Sequence, residues 1–320
     1  MSEQPSFIPR VIGGSAMQKE VAKSYNEVQF DRQEWAKGER EKTEVEEQII
    51  SLADEVTSRV LIRFGLNPLT VPLKNIHLIR SGEWKMKAGG VTMLLEQSIY
   101  LHETDTLLQF AHVVVHEMLH MKSHGAIEIK PTGATDPGAV RLRYKINEED
   151  PFEVSLVEYR SGMNVKSRPD GRKHFEAFTE AITERLTKTI LQELRDREIF
   201  QVEQEQTDAL VTTESKNRPK IPADEFVVLR EEAGVVKGET FVYQKERSVL
   251  ETLMKKIMEQ NPDRFFTIEE VFDLFVKNFI TGQMLELGRV IEKTFGAGTY
   301  RKLGAYNEDV KGLKVFVDAL

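Results

Sequence analysis

The sequence contains no cysteine. Disulfides, thiolate zinc sites, iron–sulfur clusters and cysteine nucleophiles are thereby excluded. Positive charge is not in excess either: 44 Lys and Arg face 52 Asp and Glu, a net charge of −8. Non-specific nucleic-acid binding needs clustered cations, so this balance argues against a nucleic-acid partner. No apolar run approaches the length that spans a bilayer, and the first thirty residues hold none that suits a secretory signal. The expectation is a cytoplasmic protein with no membrane partner. What remains is ordinary for a folded chain. The 320 residues are 40% hydrophobic and 30% charged, enough for one large core or two small ones.

Periodicity divides the chain. Residues 1–20 mix Pro, Gly and Ser with little pattern, and 1–38 read as an N-terminal arm or extension. Over 39–64 the apolar residues Val45, Ile49, Leu52, Val56, Val60 and Leu61 recur at helical spacing, and Gly65-Leu66-Asn67-Pro68 supplies a stop. Residues 70–80 read as a strand. A second strand is expected over 91–101, after the break at Gly89-Gly90. A hydrophobic helix follows from Thr104 to His124, then β-like runs at 139–146 and 153–160. Another helix is expected over 172–198. The polar stretch 201–224 is the best candidate for a linker, and 241–320 reads as mostly helical.

One short motif carries chemistry. Residues 116–120 read His-Glu-Met-Leu-His, an HExxH pattern inside the hydrophobic helix. Positions four apart lie on one helix face, so His116 and His120 can grip one metal ion while Glu117 reaches a water bound to it. Histidines in fact recur at 112, 116, 120 and 124. His124 is rejected as a third ligand, because at 1.5 Å per residue it stands roughly 12 Å along the axis from His116. It is expected to satisfy the helix C-terminus, and His112 to be a core or supporting residue. Without cysteine the third ligand must be a histidine or a carboxylate. Glu176, Glu180 and Glu184 offer one on a single face of the later helix, and spacing alone does not choose among them.

With both helices in view, residues 75–190 resemble the gluzincin branch of zinc metallopeptidases, which includes the thermolysin-like enzymes and small bacterial members. In that branch an HExxH helix is followed by a second helix with an NExxxD or NExxxE pattern. This chain has Thr179-Glu180-Ala181-Ile182-Thr183-Glu184, with Thr in place of Asn. The resemblance implies that Glu180 completes a ligand set with His116 and His120. It implies that Glu184 orients a ligating histidine. It also implies that the strand before the HExxH helix, at Val91, Thr92, Met93, Leu94 and Leu95, is a sheet edge that pairs with an extended peptide. The downstream histidine that stabilises the oxyanion in thermolysin-like enzymes is missing. Tyr159, Tyr243 and Tyr300 are the candidates to replace it.

The expected fold is therefore α+β and zincin-like. A small twisted sheet packs on the HExxH helix, and the C-terminal half is mainly helical. The expected domains are 39–200 for catalysis and a packed helical region over 201–320. The expected function is hydrolysis of peptide bonds in a peptide or protein substrate. One Zn²⁺ per chain activates a water and Glu117 is the general base. The alternative is a zinc-stabilised, non-enzymatic interaction or regulatory protein on the same fold. A helix-turn-helix DNA reader at 267–293 is disfavoured by the charge.

Overall fold

A computed structural model describes residues 11–12, 37–131, 140–147, 150–167, 171–307 and 309–320. Apart from 11–12 and 37–38, the N-terminal arm lies outside the described residues. The fold is α+β.

Helix α1, Glu44–Arg63, opens on a capping box in which Thr43 and Glu46 satisfy each other's backbone donors. It closes at Gly65, whose φ of 75° only glycine adopts without strain. The buried stripe is Ile49, Ile50, Ala53, Val56 and Leu61, whereas Val45 is exposed.

The strands β2 (Glu39–Arg40), β3 (Ile76–Ile79), β4 (Gly90–Met93) and β5 (Ser98–His102) form a four-stranded sheet. Their order is β2-β3-β5-β4, with β3 and β5 parallel and β4 antiparallel to β5 at one edge. The single strand expected over 91–101 is thus two strands. Leu94 and Leu95 lie in the turn between them, not in the edge strand. This turn contains neither Gly nor Pro. Leu94 and Leu95 are buried and Gln97 takes the left-handed conformation instead. The apolar run through Leu94 and Leu95 therefore reads as strand when periodicity is the only guide.

Against this sheet lies helix α2, Leu107–Lys122, capped by Thr106 at one end and Ser123 at the other. The Glu203 carboxylate accepts from the backbone N–H groups of Leu107 and Leu108 at 2.8 Å each. It thereby fills donors that a helix N-terminus leaves open.

A second sheet follows. Strand β1 (Val11–Ile12) runs parallel to β6 (Gly125–Pro131). The latter pairs with β8 (Asp150–Ser161), which also pairs with β7 (Val140–Asn147) and β9 (Asn164–Lys166). Strand β10 (Lys173–His174) closes the order. Helix α3, Glu176–Arg195, starts at Phe175 in the left-handed region.

The stretch expected as a linker is helix α4, Gln201–Asn217, followed by a hairpin of β11 (Phe226–Glu232) and β12 (Val235–Thr240). Glutamine and glutamate favour helix, and the face α4 turns to the protein is itself polar, with Thr207 and Glu214 buried. No apolar period marks it. Helices α5 (Gln244–Gln260), α6 (Ile268–Thr281), α7 (Met284–Phe295), α8 (Thr299–Ala305) and α9 (Val310–Asp318) complete the chain. The stretch considered as a DNA reader is α6 and α7, and α6 buries Val271, Phe275, Val276 and Phe279 in the core. The main hydrophobic cluster runs from Ile49 on α1 through α2 and α3 to Val317 on α9. None of the described helices is long and apolar enough to cross a membrane.

Candidate metal centre

Two buried helices build the site. Helix α2 presents its histidines to α3 because its other faces, with Leu108, Ala111, Val114, Val115, Met118 and Leu119, are apolar and fully engaged in packing. The His116 and His120 Nε2 atoms stand 3.1 Å apart. Glu180 Oε2 is 3.5 Å from the first and 3.4 Å from the second. Among the described residues this trio is the group placed to hold a metal ion.

Both spacing and charge fit an ion. The point equidistant from the three atoms lies about 1.9 Å from each, and metal–nitrogen bonds run to about 2.0–2.1 Å, so three corners of a coordination tetrahedron are in place. Glu184 is wholly buried and accepts from His116 Nδ1 at 2.9 Å. A carboxylate only accepts, so Nδ1 carries the hydrogen and Nε2 turns a bare lone pair towards Glu180. Lone pairs and an anionic oxygen so close together need positive charge between them. A proton serves when no metal does. Burial opposes a charge on His116, but hydrogen bonds to Glu180 and Glu184 outweigh it and hold its pKa well above the usual range. Burial likewise opposes ionisation of Glu180, and the charges and hydrogen bonds of His120 and His116 overcome it, so its pKa falls far below normal.

Glu184 does more than orient one ligand. Its Oε1 accepts from His112 Nε2 and from the backbone N–H of Val242, each at 2.8 Å. His112 therefore supports the site through a shared carboxylate. Glu176 is elsewhere: it pairs with Lys173 at 2.6 Å and with Asn307. The choice among the three glutamates that spacing left open falls on Glu180. The residue at the C-cap of helix α2 is Ser123. Ser123 takes the His120 carbonyl through both its N–H and its hydroxyl. The His124 backbone is tied instead to Phe279 and Gly162.

No family model matches the chain, and no curated protein or solved structure matches it. The geometry therefore carries the functional reading.

Glu117 sits beside the trio under the edge strand. The Thr92 hydroxyl is 2.8 Å from Glu117 Oε2 and 2.9 Å from the Glu117 carbonyl. Gly90 lies so close that a Cβ there would stand 2.6 Å from Glu117 Cγ and 2.9 Å from Val113 Cγ1. The Gly-Gly break ahead of the HExxH helix was the sequence signal for this contact, although it reads there only as a turn.

Of the three tyrosines, the chain brings Tyr243 to the trio. Its ring stacks on His116 with centroids 5.9 Å apart and planes at 14°. Burial and the charge of Glu180 keep this phenol protonated well above its usual pKa. Tyr300 packs on Phe175 with its hydroxyl buried. Tyr159 is half-buried on β8. Sequence reasoning missed the support from Phe241 and Val242, which stand in no motif and more than fifty residues beyond α3's ligands.

Proposed function

We propose that this chain is a zinc-dependent peptidase of the zincin-like, gluzincin type. The observation that carries the reading is the His116–His120–Glu180 trio with Glu117 and an edge strand alongside. Nitrogen and carboxylate ligands in a three-point set suit zinc with one position open for water. The chemistry that zinc supplies is a water acidified to a pKa of about 7 and a polarised carbonyl.

The rest falls to the chain. Glu117 accepts the proton from the attacking water and returns it to the departing amine. Thr92 holds one oxygen of that carboxylate, which fixes its direction. Strand β4 pairs with β5 on one side. Its other side offers backbone donors and acceptors to an extended peptide or protein substrate. Glu184 keeps His116 in the tautomer that leaves Nε2 free for metal.

The test uses the full chain, its metal content and denatured casein or a peptide library. One zinc per chain is expected, with cleavage that a chelator stops and zinc restores. Glu117→Gln is expected to keep the metal and lose cleavage, because an amide cannot take the proton. A variant that cleaves as fast as the wild type overturns the mechanism. A wild type that holds zinc and cleaves nothing favours the non-enzymatic reading.

A further inference from the structure

Strand β4 pairs antiparallel with β5, with Gly90 opposite Leu101, Val91 opposite Tyr100, Thr92 opposite Ile99 and Met93 opposite Ser98. Just before it, the His102 N–H donates to the Gly89 carbonyl at 2.8 Å. In an antiparallel ladder, pairs bonded to each other alternate with pairs whose groups point away. The bond between 102 and 89 therefore makes 91 with 100 the next bonded pair and turns 90 and 92 outward. The N–H and C=O groups of Gly90 and Thr92 thus face the free side of β4, where no other strand pairs among the described residues. Side chains follow the same alternation. Positions 90 and 92 face α2: Gly90 is tight against Glu117, and the Thr92 hydroxyl reaches its carboxylate. Val91 and Met93 lie on the opposite face, half-buried, where they pack with Trp84 on the buried Ile79 and Tyr100. Exposed edge strands are usually blunted by charge, yet Gly90–Met93 carries none. Such an edge suits a partner strand with an apolar residue of its own.

We infer that the main chain of Gly90 and Thr92 holds the substrate strand, and that Val91 selects an apolar side chain at the substrate residue opposite it. Residues opposite each other on one face of a sheet stand about 4.5–5.5 Å apart between Cβ atoms, and long side chains reach diagonal neighbours. A side chain opposite Val91 lies against it, with Met93 in diagonal reach. This holds for a parallel or an antiparallel substrate, since either pairing keeps the faces in register. A charged side chain there loses water over Val91 and gains no partner. The substrate residues on either side point to the Glu117 face, where position 90 has no side chain. Val91 is thus a specificity-determining residue, and the substrate class is an extended chain with an apolar residue at that one place. The inference rests on the peptidase reading and on β4 as its substrate edge.

Cleavage profiling tests it. Unstructured peptides, randomised one position at a time, are cut by the zinc-loaded full chain, and kcat/KM is compared across residue types. One position at a fixed distance from the cut is expected to favour Val, Ile, Leu or Phe over Asp and Lys by about 10-fold, the order an apolar pocket gives. Val91→Lys is expected to reverse that preference towards Asp and Glu by a similar factor and to move no other position. Val91→Thr, close to valine in shape, is expected to narrow the preference without reversing it, and it decides the matter should Val91→Lys not fold. Variants that hold zinc, cut peptides and keep the wild-type profile overturn the inference and leave the peptidase reading standing. A wild type that cuts with no apolar preference at any position does the same. A wild type that holds zinc and cuts nothing overturns the peptidase reading, and the inference with it.

Discussion

Single residues decide what the centre can do. Glu180 and Glu176 share a helix face one turn apart, yet the structure sends Glu176 to Lys173 and Asn307. Glu180→Ala is therefore expected to abolish tight zinc binding and Glu176→Ala to leave it nearly intact. Glu184→Ala is expected to weaken zinc by about 10–100-fold, as losses of supporting partners do. Zinc titration of the three variants checks the ranking. Gly90 is a steric case. Its added methyl in Gly90→Ala meets Glu117 and Val113 below 3.0 Å, so Glu117 must shift. The expected outcome is a large loss of cleavage with zinc content unchanged, read by turnover and elemental analysis on the same sample. The sequence shows His116, Glu117 and His120 by their spacing, because helix geometry turns a four-residue interval into proximity. It cannot show Thr92 against Glu117 or Tyr243 against His116, since those contacts depend on tertiary packing between distant segments.

Elements set how firmly the ligands are held. Helices α1 and α2 are pinned by Lys122, which is 2% exposed. Its Nζ donates to Thr57 and Ser58 and to the Asp54 carbonyl, and lies 2.9 Å from the Asp54 carboxylate. Burial outweighs that carboxylate and pulls the Lys122 pKa down from 10.5 to about 8. Between those values the unfolded chain keeps the proton and the folded chain does not. Stability from this group therefore rises with pH from about 8 to 10.5 and is flat below. Urea unfolding of the wild type and Lys122→Met across that window is expected to show the wild type gaining on the variant as pH rises. Elements with an apolar period were legible: α1, α2 and α3 lie where the sequence places them, within a few residues. Helix α4 was not, because its inward face is polar. The β11–β12 hairpin was not either. Its turn is Ala233-Gly234, with positive φ at both, and β12 alternates between half-buried and exposed residues, with Lys237 and Glu239 among the exposed.

At the scale of the molecule, the metal centre joins segments on either side of the stretch read as a linker. The main core continues from α1 to α9, and residues 241–243 reach α2 and α3 from beyond the supposed linker. Metal and fold are then coupled, since an ion that binds only the folded chain stabilises it by mass action. Thermal unfolding is expected to be a single transition whose midpoint falls by several degrees when zinc is stripped and returns when zinc is restored. Two transitions, with the later one unmoved by chelation, would show that the C-terminal helices fold apart from the centre. The α+β class was readable from the order of strands and helices. How 201–320 docks was not, because side-chain periods say which face is buried and not against what.

The carboxylate of Glu203 at the start of α2 has an electrical consequence. Aligned peptide dipoles give a helix about half a positive charge at its first turn and half a negative charge at its last. Glu203 neutralises the first end, while His120 and Lys122 lie in the last turn. The helix is thus biased along its length like a small battery, with its negative, cation-attracting end beside the ligands. A cation arriving at His116 and His120 meets a favourable field before it forms a single bond, and an anion meets the reverse. This bias of roughly 0.3–1 kcal/mol is built from main chain, so no change of ligand side chain removes it.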